Sequence, residues 1–377
     1  MRSGVGRDRA AGHAAVTAPP AELADRGSAP PTVMVTGGAG FIGRHVIDAA
    51  LAAGHEVRVL DALEPSVHPT PPVLPSGVVL VRADVRDTAA VTDALRGVDA
   101  VVHLAAKVGL GVHLADMGDY ASVNDVGTAS VLTAAAAAGV GSVVLASSMV
   151  VYGDGRYRCR VHGDVAPGPR TVECLEAGVF DPPCPVCGYA LEAELTTESA
   201  PTDPRNSYAV SKLAQELYAR VWSDVTGGRV TALRYHNVYG PGMPRNTPYA
   251  GIAAVFRSQL LAGGPPRVFE DGRQRRDFVH VRDVAAATVA AIGTTHPGVE
   301  VYNIGSGEVR TVGELAAALA ASLGGPPPVV TGQYRAGDVR HITASAHRAR
   351  VELHWAPSVA FADGIAELTA APVADSP

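Results

Sequence analysis

A glycine-rich segment between the first predicted strand and the first predicted helix limits the possible folds of this chain most. It reads Thr36-Gly-Gly-Ala-Gly-Phe-Ile-Gly43, with a short apolar strand over 33–35 before it and a helix over 41–53 after it. Its spaced glycines permit a tight turn, close approach of a diphosphate and close packing of the helix on the strand. The helix N-terminus adds backbone N–H groups and the positive end of a dipole. The segment therefore predicts a dinucleotide-binding site.

Apolar runs alternate with helical stretches through the first 240 residues. Further strands are predicted over 56–60, 78–82, 98–104, 143–146 and 229–234, and helices over 88–96, 121–138 and 207–223. Strands that are apolar along their whole length, separated by helices, are typical of a parallel sheet covered on both faces. With right-handed crossovers, this pattern predicts an α/β protein with a Rossmann-type doubly wound parallel sheet.

The predicted organisation has four parts. Residues 1–31, rich in Ala, Gly, Pro, Arg and Asp, are expected to form a disordered tail. The dinucleotide-binding Rossmann domain covers 32–153 and 206–240, and residues 154–205 interrupt it as an inserted Cys-rich lobe with many prolines and no helical period. Residues 241–377 are expected to form mainly a smaller C-terminal substrate-binding region, with some strands and helices returning to the first domain.

Charge and cysteine content restrict the partners and the location. The formal net charge of −6 argues against a nucleic-acid partner, which requires a concentrated basic face. No apolar run reaches the roughly 18–20 residues needed to span a bilayer, so no membrane partner is expected. The first 30 residues also lack the apolar core of a secretory signal. The four cysteines are confined to one short stretch, unlike a secreted disulfide framework, which favours a cytoplasmic location.

Asp61 ends the second predicted strand, at a distance along the chain where a carboxylate binds the adenosine ribose hydroxyls of a dinucleotide. The same carboxylate would repel a 2′-phosphate. The predicted cofactor is therefore NAD rather than NADP.

Tyr208 and Lys212 are spaced i and i+4 and share one face of a predicted helix. We expect the lysine ammonium to lower the pKa of the phenol from about 10 towards working pH, which would make Tyr208 a general base for a sugar hydroxyl. The spacing alone also fits an ordinary surface pair on an amphipathic helix.

Several other motifs accompany these residues. They are Val102-His-Leu-Ala-Ala106, Asn124-Asp-Val-Gly-Thr128, Ser147-Ser-Met-Val-Val-Tyr-Gly153, Arg234-Tyr-His-Asn-Val-Tyr-Gly-Pro241, Arg276-Asp-Phe-Val-His-Val281 with Asp283, and Tyr302-Asn-Ile-Gly-Ser-Gly307. With these motifs the chain resembles the extended short-chain dehydrogenase/reductases, specifically the NAD-dependent nucleotide-sugar epimerases and dehydratases. The resemblance runs from about 32 to 368, apart from the lobe, and implies a homodimer formed through the helices near 120–138 and 207–223.

The resemblance implies a role for each matching residue. Ser148 would bind the reacting sugar oxygen, Tyr208 would be the base, and Lys212 would hold the nicotinamide ribose. The implied NAD-binding residues are Gly37, Gly40, Phe41, Ile42, Gly43, Asp61, Asp84, Val85, Leu104, Ala105, Ala106, Asn124, Tyr208 and Lys212. The implied substrate-binding residues are Ser148, Asn237, Arg276, Arg335 and Asp338. One departure from the family pattern is His236, which stands where many members have Phe.

The two residues after Ser148 separate the reactions of this family. Its 4,6-dehydratases have an Asp and a Glu there, which serve as acid and base to expel a hydroxyl group, whereas this chain has Met149 and Val150. Neither side chain can transfer a proton, so dehydration is not expected, and the missing Glu also argues against decarboxylation. Epimerisation at C4, by reversible oxidation at one carbon, is the simplest remaining reaction.

Three cysteines and a histidine in the lobe have metal-ligand spacing. Cys159 and His162 form one x2-spaced pair, and Cys184 and Cys187 form another, a set that suits a structural zinc ion. Unligated thiols or a disulfide are the alternatives, and Cys174 has no such partner. The lobe begins within the segment Tyr152-Gly-Asp-Gly-Arg-Tyr-Arg-Cys159. In this it also resembles the family's dTDP-L-rhamnose 4-epimerases, which convert dTDP-L-rhamnose to dTDP-6-deoxy-L-talose.

The sequence thus favours an isomerase acting on a nucleotide-diphosphate sugar, with dTDP-L-rhamnose as its most specific substrate. An epimerase for another sugar nucleotide, such as UDP-glucose or UDP-glucuronate, remains an alternative. A net NAD-dependent oxidoreductase and a non-catalytic NAD-binding regulator also remain open, although the intact Ser148, Tyr208 and Lys212 count against the regulator.

Overall fold

The computed structural model describes residues 30–68, 70–109, 111, 113–244 and 251–372. Almost all of the predicted tail, residues 1–31, lies outside these ranges. Within them, no helix is both long enough and apolar enough to cross a membrane.

Seven parallel strands form the central sheet, and six of them match the strands predicted from the sequence. They are β1 (Thr32–Thr36), β2 (Glu56–Asp61), β3 (Val79–Arg82), β4 (Ala100–His103), β5 (Ser142–Ser148), β9 (Arg229–Tyr235) and β13 (Val299–Ile304). Their order across the sheet is β13-β9-β5-β4-β1-β2-β3. The chain starts in the middle, fills one side with β2 and β3, and then returns to fill the other, so the sheet is doubly wound. The topological switch lies between β1 and β4, where dinucleotides bind in such folds.

Helices cover both faces of this sheet. Those that flank it are α1 (Phe41–Ala52), α2 (Thr88–Ala94), α4 (Gly127–Ala138), α6 (Ser207–Thr226), α8 (Val281–Ile292) and α10 (His347–Glu352). One core packs α1, α8 and α10 against the sheet, and the other packs α2, α4 and α6 against the opposite face. Neighbouring residues such as Val33 and Met34 enter opposite cores and both are fully buried. This double burial explains why the strands are continuously apolar.

The short α3 (Met117–Tyr120) precedes α4, and the chain between them differs from the prediction. A continuous helix was expected over 121–138, but 121–126 is a π-helical segment and only Gly127–Ala138 is α-helical. Asn124 lies in this segment and is completely buried. A π-helical turn often marks a functional position, because the extra residue re-aims side chains.

The inserted lobe is a small antiparallel sheet with one helical turn. The order is β7 (Gly163–Val165), β6 (Arg156–Cys159), β8 (Glu192–Glu194), and α5 (Val172–Glu176) lies between β7 and β8. The expectation of no helix in the lobe was wrong at α5, which is too short for its periodicity to be visible and begins with a Thr171 cap.

The C-terminal region contains a second, smaller core. Its elements are β10 (Asn237–Tyr239), α7 (Ile252–Leu261), β11 (Arg267–Val268), β12 (Arg275–His280), β14 (Val309–Thr311), α9 (Val312–Leu323), β15 (Val329–Val330) and α11 (Phe361–Ala370). Phe256, Phe278 and Leu315 are among its buried side chains. Its β10-β12-β14 sheet places Asn237 and Arg276 on adjacent strands near the carboxyl edge of the central sheet.

Candidate active site

The glycine loop is shaped by close backbone contacts. Gly37 has a φ of 69°, and a Cβ atom there would lie 2.7 Å from the Ala105 amide nitrogen. A Cβ atom at Gly43 would lie 2.4 Å from the Gly37 carbonyl oxygen, because α1 crosses directly over the loop. Any side chain at either position would therefore displace the backbone.

Gly40 differs, because the nearest atom to a Cβ there would be the Gly37 oxygen at 3.2 Å. Gly40 starts α1, and in this helix, which is described throughout, neither a side-chain cap nor an acidic residue occupies the first turn. The N-terminal N–H groups and the positive dipole end therefore suit an anionic diphosphate. This geometry fits the predicted dinucleotide.

Asp61 is buried beside this loop. Its carboxylate accepts hydrogen bonds from the amide groups of Ala39 (3.0 Å) and Leu63 (2.9 Å), and His68 Nε2 lies 3.6 Å from Oδ1. These contacts attach the glycine loop to the end of β2. Ribose binding by the same carboxylate stays a prediction.

The loops after β3 and β4 lie at the same edge. Asp84 pairs with Arg86 at 2.5 Å, while Val85 packs beneath Gly127. Leu104 donates its N–H to the Thr36 carbonyl at 3.1 Å, so the predicted segment 104–106 lies beside the glycine loop. The structure thus brings the predicted NAD-binding residues to one side of the sheet.

Asn124 connects the loop after β4 to the catalytic helix. Its side-chain amide donates to the Lys107 carbonyl (2.9 Å) and to Ser211 Oγ (2.8 Å), and its oxygen accepts from the Lys107 amide (2.7 Å). Both N–H groups are therefore engaged within the protein. Asn124 therefore positions α6 against the loop after β4, and its contact with NAD stays a prediction.

The three predicted catalytic residues meet where β5 ends and α6 begins. The Ser148 side chain lies beside Tyr208 and favours its phenolate form. Lys212 Nζ donates to the Ala146 carbonyl at 2.8 Å and lies 5.9 Å from the centre of the Tyr208 ring. Asn206 caps α6 by accepting from the Ala209 amide at 2.8 Å, which fixes Tyr208 in the first turn of the helix.

The prediction that Lys212 lowers the pKa of Tyr208 was wrong for the protein without a bound cofactor. Burial raises the pKa of Tyr208 to about 12, with only the Ser148 hydrogen bond opposing it. Burial also lowers the pKa of Lys212 to about 8. The ammonium group is directed at a strand carbonyl, so desolvation outweighs its influence on the phenol.

A buried hydrogen-bond network behind the site was not predicted from the sequence. Thr36 Oγ1 lies 2.7 Å from His103 Nδ1, and His103 Nε2 lies 3.0 Å from Thr128 Oγ1. Gln215 donates to the same threonine at 2.5 Å. Burial and the charge of Lys212 lower the pKa of His103 to about 3, so its ring is neutral. This network links β1, β4, α4 and α6. Its four residues lie too far apart in sequence to give a local signal.

A second missed feature is the buried ion pair between Arg234 and Glu216. Arg234 Nη2 lies 2.7 Å from the carboxylate, which also accepts from Ser147. The guanidinium lies 4.6 Å from the centre of the Tyr152 ring. This pair joins β5, α6 and β9 beneath Ser148. Glu216 lies one turn after Lys212 on the same face, but that spacing is equally common on exposed helices.

Arg276 has the geometry of an anion-binding residue. Its guanidinium donates to the carbonyls of Arg340 (2.9 Å) and Val339 (2.7 Å), and no carboxylate in the described part of the chain lies within ion-pair distance. Burial lowers its pKa. A partly buried cation held only by carbonyls suits a diphosphate.

The other predicted substrate residues lie near Arg276. Asp338 is largely buried, which raises its pKa, and the charges of Arg335 and Arg276 act on it. Arg335 packs over the Phe269 ring, 5.1 Å from its centre. The buried Oδ1 of Asn237 has no hydrogen-bond partner among the residues described. The structure therefore brings Arg276, Arg335 and Asp338 together, with Asn237 on the strand that pairs with the strand of Arg276.

The four predicted metal ligands also meet. All their ligating atoms lie within 4.8 Å of one another. Cys159 Sγ is 3.6 Å from both His162 Nδ1 and Cys187 Sγ, and Cys184 Sγ is 3.7 Å from His162 Nδ1. Cys174 lies outside this cluster, and all four cysteines are free.

Charged side chains join the lobe to the substrate segment. Arg340 is 1% exposed and binds Asp181 of the lobe (2.7 Å) together with Glu270 (2.9 Å). Arg170 of the lobe binds Glu270 at 2.7 Å and the Asp338 carbonyl at 2.5 Å. The lobe therefore holds the segment that contains Asp338 and receives Arg276.

A doubly wound sheet, a glycine loop at its switch point and a Ser–Tyr–Lys set define a dinucleotide-dependent enzyme of the short-chain dehydrogenase type. Residues 33–171 and 184–305 match the model of the NAD dependent epimerase/dehydratase family. The chain belongs to that family and has its Rossmann-type NAD-binding fold.

Two curated relatives cover nearly the whole chain. A dTDP-L-rhamnose 4-epimerase of Burkholderia thailandensis is 36% identical over 346 residues, covering 89% of this chain and 93% of the relative. A UDP-glucose 4-epimerase of Mycolicibacterium smegmatis is 34% identical over 343 residues, covering 89% and 96%. These relatives confirm the predicted family and enzyme class, an isomerase of the epimerase type.

Solved structures agree. A UDP-glucose 4-epimerase from Thermus thermophilus in complex with NAD has a TM-score of 0.70 and 31% identity, covering 90% of this chain and 97% of that chain. The UDP-glucose complex of a UDP-glucose 4-epimerase from Thermotoga maritima has a TM-score of 0.73 and 27% identity with the same coverage. The predicted fold class is thereby confirmed, and NAD binding is supported.

Proposed function

We propose that this chain is an NAD-dependent nucleotide-sugar 4-epimerase that interconverts dTDP-L-rhamnose and dTDP-6-deoxy-L-talose. The reaction type rests on Ser148 lying beside Tyr208, and on Met149 and Val150 as the two residues after Ser148. The pair supports proton transfer at one sugar oxygen. The two following side chains supply no acid or base for the elimination of water, so oxidation and reduction at a single carbon is the reaction best supported.

In the proposed reaction, the Tyr208 phenolate removes the proton of the C4 hydroxyl while Ser148 hydrogen-bonds the same oxygen. NAD bound at the glycine loop would supply the hydride acceptor in its oxidised form and the hydride donor in its reduced form, and the oxidised form would also bring a positive charge to the reacting carbon. The C4 hydrogen leaves with its electron pair, which gives a 4-keto sugar. After the sugar turns, the opposite face of C4 would be reduced again and Tyr208 would return its proton to the oxygen, which restores the hydroxyl with inverted configuration.

Charge explains how Tyr208 can act as a base despite its burial. A positive charge near the phenol favours the phenolate and opposes the effect of desolvation. An ammonium group has three N–H donors, and Lys212 directs one to the Ala146 carbonyl. The remaining donors suit the hydroxyls of a nicotinamide ribose. The buried network through His103 and Asn124 keeps α6 in register with the cofactor loop.

The substrate is supported by the 36% identical relative from Burkholderia thailandensis. Arg276 and Asn237 supply a cation and an amide for the diphosphate. Other sugar nucleotides stay as alternatives, because UDP-glucose 4-epimerases are also among the relatives.

The test is to incubate the purified protein with dTDP-L-rhamnose, UDP-glucose and UDP-glucuronate and to follow each sugar by proton NMR. We expect inversion at C4 of dTDP-L-rhamnose with no accumulation of free NADH. Inversion of a UDP-sugar alone would replace the substrate assignment. Stoichiometric NADH release would indicate a net oxidoreductase, and no inversion in any arm would refute the epimerase.

We also propose that Cys159, His162, Cys184 and Cys187 bind a structural zinc ion. Two sulfurs bound at about 2.3 Å in a tetrahedron lie about 3.8 Å apart, and a disulfide would bring them to about 2.0 Å. The 3.6 Å Cys159–Cys187 distance supports the tetrahedral arrangement. Four protein ligands complete the coordination of zinc, which favours a structural over a catalytic role.

The predicted homodimer is proposed on the outer face of α6. Exposed apolar side chains follow this face at helical spacing: Val210, Leu217, Tyr218, Val221 and Val225. A second copy related by a two-fold axis would cover the stripe with the same stripe.

A cytoplasmic location also remains a proposal, supported by the four free thiols.

A further inference from the structure

His236 is the residue immediately after β9, at the carboxyl edge of the central sheet. The last residue of β9, Tyr235, is in register with Ser148 on β5. The His236 amide donates to the Ile304 carbonyl at 3.0 Å, so its backbone is fixed between the ends of two neighbouring strands. The charge of Arg276 acts on its ring. His236 therefore lies between the reacting end of the site and the proposed diphosphate end.

The His236 ring is buried but lacks polar contacts. It is 4% exposed, and neither Nδ1 nor Nε2 has a hydrogen-bond partner among the residues that the structure describes. Burial, aided by Arg276, lowers its pKa to about 3, so the ring is neutral. A neutral imidazole offers one donor and one acceptor, and leaving both unpaired in a buried place is unfavourable.

Other buried histidines of the chain use their rings differently. Both nitrogens of His103 have partners, at 2.7 and 3.0 Å. His280, which is also buried, accepts from the Arg282 amide at Nδ1 (3.3 Å), and its Nε2 lies 3.5 Å from a Glu367 carboxylate oxygen. A Phe ring, which has no polar atoms, would be enough if this position served packing alone. The ring nitrogens of His236 must therefore serve something other than packing.

We infer that His236 determines sugar specificity, by hydrogen-bonding a ring hydroxyl of the sugar that lies between the reacting carbon at Ser148 and the diphosphate at Arg276. The inference rests on the proposed sugar-nucleotide function. It does not require that the sugar be epimerised, only that it be bound.

The test compares His236→Phe and His236→Gln with the wild type. Calorimetry measures the affinities for dTDP-L-rhamnose and for dTDP, and the ratio of the two isolates the contribution of the sugar. We expect His236→Phe to reduce this ratio about tenfold or more while dTDP affinity and bound NAD stay unchanged. His236→Gln, which keeps a donor and an acceptor, should recover part of the loss. The Tm of His236→Phe should equal or exceed that of the wild type, because unpaired buried polar atoms are removed.

Several results would overturn the inference. These are an unchanged ratio in His236→Phe, a loss that follows NAD content instead of sugar binding, and wild-type protein that binds dTDP-L-rhamnose no better than dTDP. A destabilised His236→Phe would show that the ring nitrogens serve the fold. If the wild type binds dTDP-L-rhamnose without epimerising it, the proposed reaction fails, and the binding ratio still decides the role of His236.

Discussion

Tyr208 and Lys212 illustrate how burial acts in opposite directions on an acid and a base. Desolvation disfavours each charged form, so the pKa of the phenol rises to about 12 and that of the ammonium falls to about 8. Ser148 alone does not reverse this. The phenolate therefore depends on the positive charge that bound cofactor brings, which makes catalytic competence a property of the complex.

Replacing Tyr208 by Phe should reduce kcat about 10²- to 10⁴-fold, because the proton acceptor is lost while the ring remains. NMR of the sugar product measures the effect. The matched control is Tyr218→Phe, since Tyr218 lies on the same helix and is 45% exposed. Full activity in Tyr208→Phe would remove the base assignment.

At the scale of elements, the lobe and the substrate segment act as one unit. Arg170 and Arg340 are buried cations, and Glu270 lies between them as a shared buried carboxylate. Loss of one partner would leave a buried charge uncompensated, which is strongly unfavourable. The lobe should therefore influence substrate binding even though it contains none of the proposed catalytic groups.

Asp181 provides a pH test of this connection. Hydrogen bonds from His341 and Arg340 hold its pKa well below the usual value near 4. A lowered carboxyl pKa stabilises the fold above the normal value, and this contribution is lost as the pH falls towards the lowered one. Asp181 is half exposed, so Asp181→Asn should lower the Tm by about 1–3 °C at pH 7, and by less at pH 3.

Thermal unfolding at both pH values measures the Tm of Asp181→Asn. Asp224→Asn, at an exposed residue on α6, is the control. A Tm difference between wild type and Asp181→Asn that grows on acidification would contradict the expected sign.

The metal cluster gives a second prediction at this scale. The protein should contain about one zinc ion per chain, and Cys184→Ser should lose it and lower the Tm by about 10 °C or more. Cys174→Ser, outside the cluster, should retain both zinc and Tm. Metal analysis of protein purified without chelators decides the matter, and a zinc-free wild type would rule out the site.

The sequence predicted the elements that carry local signals, and the structure shows why others escaped. The glycine loop and the strands through β9 were predictable because glycine spacing and apolar runs are local. The π-helical turn at Asn124 was not, since Asn124 bonds to Lys107 and Ser211, which lie 17 and 87 residues away in sequence. The same holds for Glu216–Arg234 and Arg170–Glu270, which join distant parts of the chain without any periodic pattern. The pKa of Tyr208 was misjudged because spacing reveals a charge but not the burial that opposes it.

At the scale of the whole molecule, the exposed stripe on α6 is the feature that most suggests assembly. Val221 and Val225 are 61% and 80% exposed on a helix whose other face carries the catalytic residues. Contiguous apolar surface of this kind is typical of interfaces. A second copy on this face would restrain the helix that holds Tyr208 and Lys212.

Val221→Glu should convert a dimer to monomer, because a charge would be buried in the apolar interface. Light scattering during gel filtration measures the mass. Val351→Glu, at an equally exposed valine on α10, should leave the mass unchanged. A wild type that is monomeric at high micromolar concentration would exclude this interface.

The position of β13 at the edge of the central sheet also determines when the sheet can be completed during synthesis. β13 pairs with β9, but the chain makes β9 about seventy residues earlier. Until Val299–Ile304 has been synthesised, one backbone edge of β9 is unpaired. Arg170 likewise has no partner until Glu270 and Asp338 have been synthesised. An open edge strand can recruit other chains. A chain truncated before β13 would therefore tend to aggregate, even though it retains the whole glycine loop and all three proposed catalytic residues.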